Sequence, residues 1–392
     1  MDFDIFQILT EANELGASDI HISTNEIPMF RISGVMQTQK KYPSLTLQMA
    51  RQLVEQTMND EQKGSFDSEK DLDFAMEIPN VARFRVNAFF TTKGVNAVFR
   101  IIPSEILTFE KLNLPPSLKN ILKLKKGLVV ITGPTGSGKS TTLAAIIDLF
   151  NKQKKGHIVT IEDPVEFVHK SRKSIITHRE VGRHTESFAT ALRAVTRQDP
   201  NVVLVGEMRD IETISLALTA AETGTLVFGT LHTSSAAKTI NRIIDVFPAE
   251  EQNQVRSMLA DSLQFIVAQA LLKKKGGGRC AALEILVATD GIRNQVRKGE
   301  VGQISMAMQS GKNVGMQTID QALADLLKKD TITFEEAKNY ASCEEELRKY
   351  IATNEFDQQM ETQMQNEGLN QPNITDQVLQ NLEGNNNNFL KL

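Results

Sequence analysis

The sequence predicts an α/β protein in which a mostly parallel sheet follows a smaller α+β domain. Short apolar runs at residues 128–132, 158–161, 202–205 and 226–228 are separated by helical stretches, as in a parallel sheet with crossover helices. Before these runs, the first 103 residues mix helical with alternating patterns. A chain of 392 residues exceeds what one core usually holds, so two domains are expected.

Composition narrows the class of protein. Hydrophobic residues make up 41 % and charged residues 23 % of the chain, which is typical of a globular protein. A formal charge of −4 argues against a chain coated by nucleic acid. The apolar runs are far shorter than the roughly 18 residues that a membrane span needs, and the N-terminus is acidic, unlike a signal peptide. With only two cysteines, Cys280 and Cys343, we expect no disulfide framework and a reduced, cytoplasmic protein.

The chain is expected to divide into four segments. Residues 1–103 form an N-terminal domain, and residues 104–126 form a linker bracketed by Pro103 and the pair Pro115–Pro116. Residues 127–354 form the α/β domain with its late helices. Residues 355–392 are rich in Asn and Gln and are expected to be disordered, because they hold too few apolar residues to offset the entropy of ordering.

A β-hairpin is predicted near the end of the N-terminal domain. Residues 83–90 and 95–101 alternate between polar and apolar, with turn chemistry in between. Because side chains alternate between the two faces of a strand, Arg83 and Arg85 share one face, and Arg100 lies opposite the apolar face of the second strand. The hairpin should therefore present its arginines on a single exposed surface.

A complete phosphate-binding motif, G-x-x-x-x-G-K-[ST], lies between an apolar run and a helical pattern. Its glycines let backbone N–H groups close around a polyphosphate, and the following helix N-terminus adds positive partial charge. Lys139 is expected to bridge the β- and γ-phosphates, and Ser140 to ligate Mg²⁺. The alternative, a helix cap that binds nothing, is disfavoured by this context. The predicted ATP-binding residues are Gly133, Pro134, Thr135, Gly136, Ser137, Gly138, Lys139, Ser140 and Thr141.

Acidic residues follow two other apolar runs. Ligands of parallel α/β sheets gather beyond the carboxyl ends of the strands, so these acids are placed to act on a bound triphosphate and its metal. Glu207 follows residues 202–205 and is predicted to act on the metal or its water shell, with an exposed loop acid as the alternative. Glu162, Asp163 and Glu166 follow residues 158–161, and the sequence alone does not rank them.

His232 follows the apolar run that the sequence presents as the last strand. It is either a sensor of the γ-phosphate or a hydrogen-bonded structural histidine. The other histidines show no metal-ligand spacing and receive no metal: His21, His157, His169, His178 and His184.

Taken together, these motifs resemble in order and spacing the secretion ATPases, and within them the type IV pilus retraction (twitching motility) ATPases. The resemblance covers about residues 3–350 and includes residues 16–21 and 315–318. It implies a small PAS-like N-terminal domain joined to a RecA-like P-loop ATPase domain, assembled as a homo-hexameric ring. It also implies an ATP-hydrolysing motor that powers pilus retraction and works with Mg²⁺, with no nucleic acid expected. The implied partners are an inner-membrane pilus platform protein, which would hold the motor at the inner membrane, and a paralogous retraction ATPase.

The resemblance also implies roles for single residues. Residues 160–166 form what is called the acidic box below, and Glu166, its last glutamate, matches the general base. Arg85 and Arg100 match N-terminal arginines that reach the γ-phosphate. Arg193 and Arg197, four apart on a helical stretch, match arginines near the nucleotide; a solvated helix face is their alternative reading.

Two other functions stay open. Retraction ATPases carry the motif Ala-Ile-Arg-Asn-Leu-Ile, and three of the six matching residues differ here; glycine in place of alanine costs a helix interior about 1 kcal/mol. Residues 331–337 resemble an accessory retraction ATPase, which would assist a main motor. A RecA-like nucleic-acid translocase would use the basic run at residues 273–279, although a solvated loop explains that run more simply. The six motif residues are Gly291, Ile292, Arg293, Asn294, Gln295 and Val296.

Overall fold

The computed structural model describes residues 4–102 and 106–352, so the predicted tail at residues 355–392 lies outside the described residues. Two compact units are present. The first comprises the described residues up to Leu271 together with Leu283–Gln317. The second comprises Leu272–Ala282 together with the described residues from Thr318 onward.

The N-terminal part of the first unit is an antiparallel sheet with three helices. The sheet has the strand order β3-β2-β1-β6-β5-β4. Its core contains the apolar sides of helix and sheet, including Ile8, Phe30 and Phe99. The elements are α1 (Ile5–Glu14), β1 (Ala17–Ser23), β2 (Met29–Ile32), β3 (Val35–Thr38), α2 (Leu47–Glu55), α3 (Asp60–Glu69), β4 (Asp71–Ile78), β5 (Ala82–Thr91) and β6 (Gly94–Ile102).

The predicted arginine hairpin is confirmed as β5 and β6. Thr91 pairs with Gly94 at the turn, and Arg85 lies directly opposite Arg100. Phe84 and Val86 are buried on the other face of β5. Gly94 has a φ of +133°, and a Cβ there would come within 2.8 Å of the Thr24 hydroxyl oxygen, so the turn requires glycine.

The rest of the first unit is an α/β sheet with the strand order β13-β12-β7-β11-β10-β8-β9. Neighbouring strands from β12 to β9 in this order run parallel. The elements from residue 116 are the 3₁₀ helix Pro116–Lys123, β7 (Gly127–Thr132), α4 (Lys139–Gln153), β8 (His157–Glu162), β9 (Ile175–Glu180), α5 (Phe188–Val195), β10 (Val202–Val205), α6 (Ile211–Thr223), β11 (Leu226–Leu231), α7 (Ala236–Asp245), α8 (Gln252–Ser262), β12 (Leu263–Lys273), β13 (Arg279–Val287), α9 (Asp290–Lys298), the 3₁₀ helices Val301–Gln303 and Gly311–Val314, and α10 (Ile304–Ser310).

The four apolar runs are confirmed as β7, β8, β10 and β11, but the expectation that β11 is the last strand is wrong. Strands β12 and β13 follow it, and β9 adds an edge. Strand β12 begins at the residue directly after α8, with no turn residues to separate the two patterns. Strand β9 is mostly half-buried and holds several polar residues, so it lacks an apolar run.

The second unit contains the turn between β12 and β13 and the helices α11 (Ile319–Lys328) and α12 (Phe334–Lys338). The basic run at residues 273–279 forms this turn. Its three glycines have φ values of +78°, +101° and +77°, and the Lys275 ammonium contacts the Asp330 carboxylate. The loop reading of the basic run therefore holds.

Helix α9 carries the six residues that match the retraction motif. Ile292 and Val296 face the core, while Gly291 is exposed and is the second residue of the helix, behind the N-cap Thr289. The expected cost of glycine in a helix interior therefore does not apply. Gln295, which stands where the motif has leucine, has a buried Oε1 with no hydrogen-bond partner among the residues described.

We predict that Gln295→Leu stabilises the first unit. The substitution removes a buried acceptor without a donor, a defect that costs about 1–3 kcal/mol. The midpoint of thermal unfolding of the full-length protein should rise. Asn294→Ala, on the exposed side of the same helix, should stay within about 0.5 kcal/mol of the wild type. A lower midpoint for Gln295→Leu would show that the amide makes a contact the structure does not contain.

Candidate functional site

The candidate site lies where four parallel strands end together. Strand β10 pairs in parallel with both β8 and β11, and β11 pairs with β7. In this register the carboxyl ends of the four strands meet at one edge of the sheet, which is where ligands of such sheets bind. Glu162 is the last residue of β8, and the loops that follow the other three strands carry Gly133, Glu207 and His232.

The loop after β7 has the backbone of a phosphate cradle. Gly133, Gly136 and Gly138 have φ values of +145°, +79° and +85°, which other residues rarely adopt. A Cβ on Gly133 would lie 2.3 Å from the backbone oxygen of Gln269 and 2.6 Å from the Ser137 hydroxyl oxygen. Helix α4 begins at Lys139 without a side-chain cap, so the N–H groups of its first turn are available to an anion.

Lys139 is held inside this loop. Its ammonium donates to the backbone oxygens of Gly133 at 2.8 Å and Pro134 at 3.1 Å. Burial lowers the pKa of Lys139 below its ordinary value. The negative charges of Glu207 and Glu166 act in the opposite direction but do not cancel the effect of burial. Both predicted acids therefore act electrostatically on the lysine.

The remaining loop residues divide between an exposed tip and a buried base. Ser137 is buried, and its hydroxyl has no hydrogen-bond partner in the described part of the chain. Ser140 is half-buried and lines a cavity of about 40 Å³ between α4 and the strand ends. Thr141 is half-buried as well, and the exposed tip consists of Pro134, Thr135 and Gly136.

Glu207 and His232, which follow neighbouring strands, are in contact. The His232 Nε2 lies 3.1 Å from Glu207 Oε1, and the Arg209 Nε lies 2.5 Å from the same oxygen. Burial opposes ionisation of Glu207, but the hydrogen bonds and charges of Arg209 and His232 outweigh it and lower its pKa. Glu207 is therefore a carboxylate held by two nitrogen donors. The sequence analysis missed Arg209.

The acidic box places its three acids differently. Burial raises the pKa of Glu162 to about 7, although hydrogen bonds from Thr160 and from the Glu166 N–H oppose it. Asp163 is exposed and interacts electrostatically with Arg209. Glu166 is half-buried and lines an open cavity of about 370 Å³. Glu166 is thus the acid that combines access to this cavity with proximity to Lys139.

The hairpin arginines contact carboxylates of their own sheet. Arg100 Nε donates to Asp19 Oδ1 at 2.9 Å, and Arg85 Nε lies 3.9 Å from Asp73 Oδ1. Both side chains stay partly exposed, with 66 % of the Arg100 and 43 % of the Arg85 side-chain surface accessible.

The expectation that Arg193 and Arg197 share a helix is wrong. Helix α5 ends at Val195, with Thr196 as its C-cap, so Arg193 lies in the last helical turn and Arg197 beyond it. Arg193 forms an ion pair with Glu212 on α6, and Arg197 is exposed. The helix stops early because Asp199, with a φ of +49°, and Pro200 turn the chain toward β10.

Gln269 supports the phosphate loop from behind, and the sequence analysis missed it. This buried side chain on β12 donates from Nε2 to the Ser137 backbone oxygen at 2.6 Å and accepts from the Thr142 hydroxyl at 2.8 Å. It therefore ties the loop to the first turn of α4. One signal was available, since Gln269 is an amide inside an otherwise apolar run.

Arg83 and Glu180 make a second set of unforeseen contacts. Arg83 Nη1 donates to the Val165 backbone oxygen at 2.9 Å, and Glu180 Oε2 accepts from the Val165 N–H at 3.1 Å. Arg83 was expected to share the exposed face with Arg85, but its side chain is largely buried against the acidic box instead.

Among the residues described, no group of three or more His, Cys, Asp or Glu side chains is placed to hold a metal ion. Over the same ranges, no helix combines the length and apolar character that crossing a membrane requires. The hydroxyl of Ser140 and the carboxylate of Glu207 are nevertheless the kind of oxygen donors that Mg²⁺ takes alongside phosphate oxygens.

Comparison with known proteins gives one consistent family. The model of the type II/IV secretion system protein family matches residues 3–381. The type IV pilus retraction ATPase PilT of Pseudomonas aeruginosa is 52 % identical over 342 residues, which cover 87 % of this chain and 99 % of that protein. The type IV pilus ATPase PilU of the same organism is 40 % identical, covering 90 % of this chain and 91 % of PilU. A crystal structure of the pilus retraction motor PilT with bound ADP superimposes with a TM-score of 0.83 at 46 % identity, covering 88 % of this chain and 99 % of that one.

We predict that Gln269→Met weakens nucleotide binding more than turnover. Methionine fills the same space but cannot make the two hydrogen bonds that shape the loop, so ATP and ADP should both lose about tenfold in affinity, or ~1.4 kcal/mol. Equilibrium binding of a fluorescent nucleotide measures this.

The control is Asn151→Leu, which removes two buried hydrogen bonds at the far end of α4. It should lower the unfolding temperature and leave nucleotide affinity unchanged. Equal affinities for Gln269→Met and the wild type would show that the glycines alone hold the loop.

Proposed function

This chain belongs to the type II/IV secretion system protein family and, within it, to the pilus retraction ATPases, and we propose that it is an ATP-hydrolysing motor that powers type IV pilus retraction. The observation that carries the proposal is 52 % identity to PilT over nearly all of that protein, combined with a complete phosphate loop. This identity is to a protein described as a retraction ATPase, so the accessory alternative is not favoured. No described contact favours a nucleic-acid translocase.

In this proposal the loop at residues 133–138 binds the phosphates of ATP. The ammonium of Lys139 exchanges its two backbone oxygens for phosphate oxygens, and the first turn of α4 contributes its N–H groups. Ser140 and Glu207 would hold Mg²⁺, directly or through its water shell. When bound, Mg²⁺ neutralises charge on the phosphate oxygens. Two observations support the fit of phosphate groups to this loop. A Cβ at Gly133 would fill the space inside it, and the buried Ser137 hydroxyl has no hydrogen-bond partner among the described residues.

Glu166 is proposed as the general base that takes a proton from the attacking water. It is half-buried beside an open cavity and close enough to Lys139 to affect the lysine pKa. Glu162 is the competing candidate, since a pKa of about 7 would also suit a base. Its carboxylate is engaged by the Glu166 N–H, which favours a supporting role.

Arg85 and Arg100 are proposed to sense the γ-phosphate and, with it, the closure of the N-terminal sheet onto the nucleotide. Arginine suits this role because its charge is permanent and its planar fork fits phosphate oxygens. His232, in contact with Glu207, is proposed to sense the γ-phosphate. Arg193 and Arg197 are proposed to act near the nucleotide from the end of α5.

The assembly we propose is a homo-hexameric ring, in which closure of one chain pushes its neighbour. The force would pass to an inner-membrane pilus platform protein, with the motor on the cytoplasmic side. A paralogous retraction ATPase is a further proposed partner. Support for these proposals comes from the family and from the match to PilT.

We predict that Glu166→Gln retains nucleotide and loses turnover. Glutamine keeps the shape and hydrogen bonding of the side chain but cannot accept the proton, and general-base catalysis contributes about 10²–10⁴-fold. Steady-state release of phosphate measures kcat, and ATP affinity should stay within about twofold. Glu162→Gln is the matched comparison and should reduce kcat by less than tenfold. If Glu162→Gln is the more damaging change, the two roles are reversed.

We predict that replacing Arg85 and Arg100 by alanine lowers kcat more than ATP affinity. These arginines act on the γ-phosphate in the closed arrangement, whereas the loop supplies most of the binding. A drop in kcat of about a hundredfold with a change in ATP affinity below threefold is expected from paired kinetic and binding measurements. Unchanged turnover would remove their proposed role.

A further inference from the structure

The backbone of Val165, the residue that precedes Glu166, is held through both its N–H and its carbonyl oxygen. The N–H of Val165 donates to Glu180 Oε2 at 3.1 Å, and its carbonyl oxygen accepts from Arg83 Nη1 at 2.9 Å. Arg83 Nη2 also lies 3.7 Å from the same Glu180 oxygen. Two charged side chains thus hold the backbone of Val165 through its N–H and its carbonyl oxygen, and the next side chain along the chain is that of Glu166.

These contacts are shielded from water. The side chain of Arg83 is 15 % exposed and that of Glu180 is 8 % exposed. Hydrogen bonds from and to ionised groups are stronger than neutral ones, and low exposure strengthens them further. Removing one partner leaves the other charge buried without its counter-charge, which is strongly unfavourable. The arrangement therefore fixes Val165 more tightly than backbone hydrogen bonds alone would.

The two charged residues come from different parts of the fold. Arg83 lies on β5 of the N-terminal sheet, and Glu180 is the last residue of the edge strand β9 of the α/β sheet. Arg83 and Glu166 also line the same cavity of about 370 Å³. Arg83 thus contacts residues outside the N-terminal sheet. The described contacts of Arg85 and Arg100, in contrast, are with carboxylates of their own sheet.

We propose that Arg83 and Glu180 are positioning residues, together forming a clamp on Val165 that sets the position of the Glu166 side chain and couples it to the N-terminal sheet. This inference rests on the proposed role of Glu166 as the base. A movement of β5 would carry the Val165 carbonyl with it and so move Glu166 toward or away from the reacting water. The clamp touches neither the phosphate loop nor its lysine, so it acts on turnover and not on binding.

The test is Arg83→Met in the full-length protein, with steady-state kinetics and nucleotide binding. Methionine keeps the apolar stem but donates no hydrogen bond. The expected result is a loss of about tenfold in kcat, with the KM for ATP within about twofold of the wild type. Arg83→Lys should recover part of the loss, because an ammonium can reach one acceptor but not form the planar fork. Arg51→Met, which breaks ion pairs with Glu55 and Asp67 inside the N-terminal domain, is the control and should leave kcat unchanged.

A double substitution separates positioning from other effects. In the Glu166→Gln background, Arg83→Met should cause no further loss in the residual rate, because the clamp acts through the carboxylate that is already gone. A further tenfold loss there would overturn the clamp. The clamp would also be overturned if Arg83→Met left kcat unchanged while Glu166→Gln abolished turnover. In that case the assignment of Glu166 as the base would stand. If Glu166→Gln itself keeps turnover, the proposed base is the part that fails.

ADP binding separates a loss of folded protein from a loss of turnover, because only folded protein binds ADP. Rates are expressed per ADP-binding site, so a misfolded fraction does not lower kcat. If Arg83→Met yields no ADP-binding protein, Arg83→Lys and Glu180→Gln carry the test. Both keep a hydrogen-bonding group, and each should lower kcat by about threefold or more at constant KM. Wild-type kcat in both would overturn the inference.

Discussion

The site depends on the parallel register of four strands. Because β10 pairs in parallel with β8 on one side and with β11 on the other, their ends cannot shift independently. One shift of register would move an acidic loop away from the phosphate loop and turn every buried side chain of that strand to the opposite face. The apolar residues that make these strands buried on both faces thus also determine where Glu162, Glu207 and His232 emerge.

The charged side chains at this edge of the sheet already interact with one another within the protein. Lys139 is buried on two carbonyl oxygens, and the carboxylates of Glu207 and Glu166 lie near enough to favour its charged form. Glu207 is in turn held ionised by Arg209 and His232. In the function we propose, an entering triphosphate replaces the carbonyl partners of the lysine and meets a carboxylate that is already fixed. Preorganised charges of this kind stabilise a transition state without reorganising during the reaction.

The sequence predicted the parts of this site that depend on local pattern. A loop motif, a strand end and a hairpin each occupy a short stretch, so β7, the glycine loop and the placement of Arg85 and Arg100 on one face of the hairpin were accessible. The contacts of Gln269 with Thr142 and of Arg83 with Val165 join residues 127 and 82 positions apart, and no local periodicity encodes them. Helix ends were also missed where a turn beyond the helix decides them, as at Arg197.

The two opposed arginines of the hairpin repel each other, and carboxylates of the same sheet offset this repulsion. Arg85 and Arg100 are directly opposed across two strands, where like charges destabilise a sheet. Asp73 and Asp19 supply counter-charge, and both arginines remain partly exposed beside them. A second anion that approaches this face is therefore attracted by two cations whose present partners lie on the same sheet. Arg83, one alternation earlier on β5, is instead buried against Glu180 and Val165. Strand β5 thus carries both Arg85, a member of the exposed arginine pair, and Arg83, which is buried against the acidic box. In the function we propose, a phosphate bound by Arg85 and Arg100 would therefore pull on the contact between Arg83 and Val165.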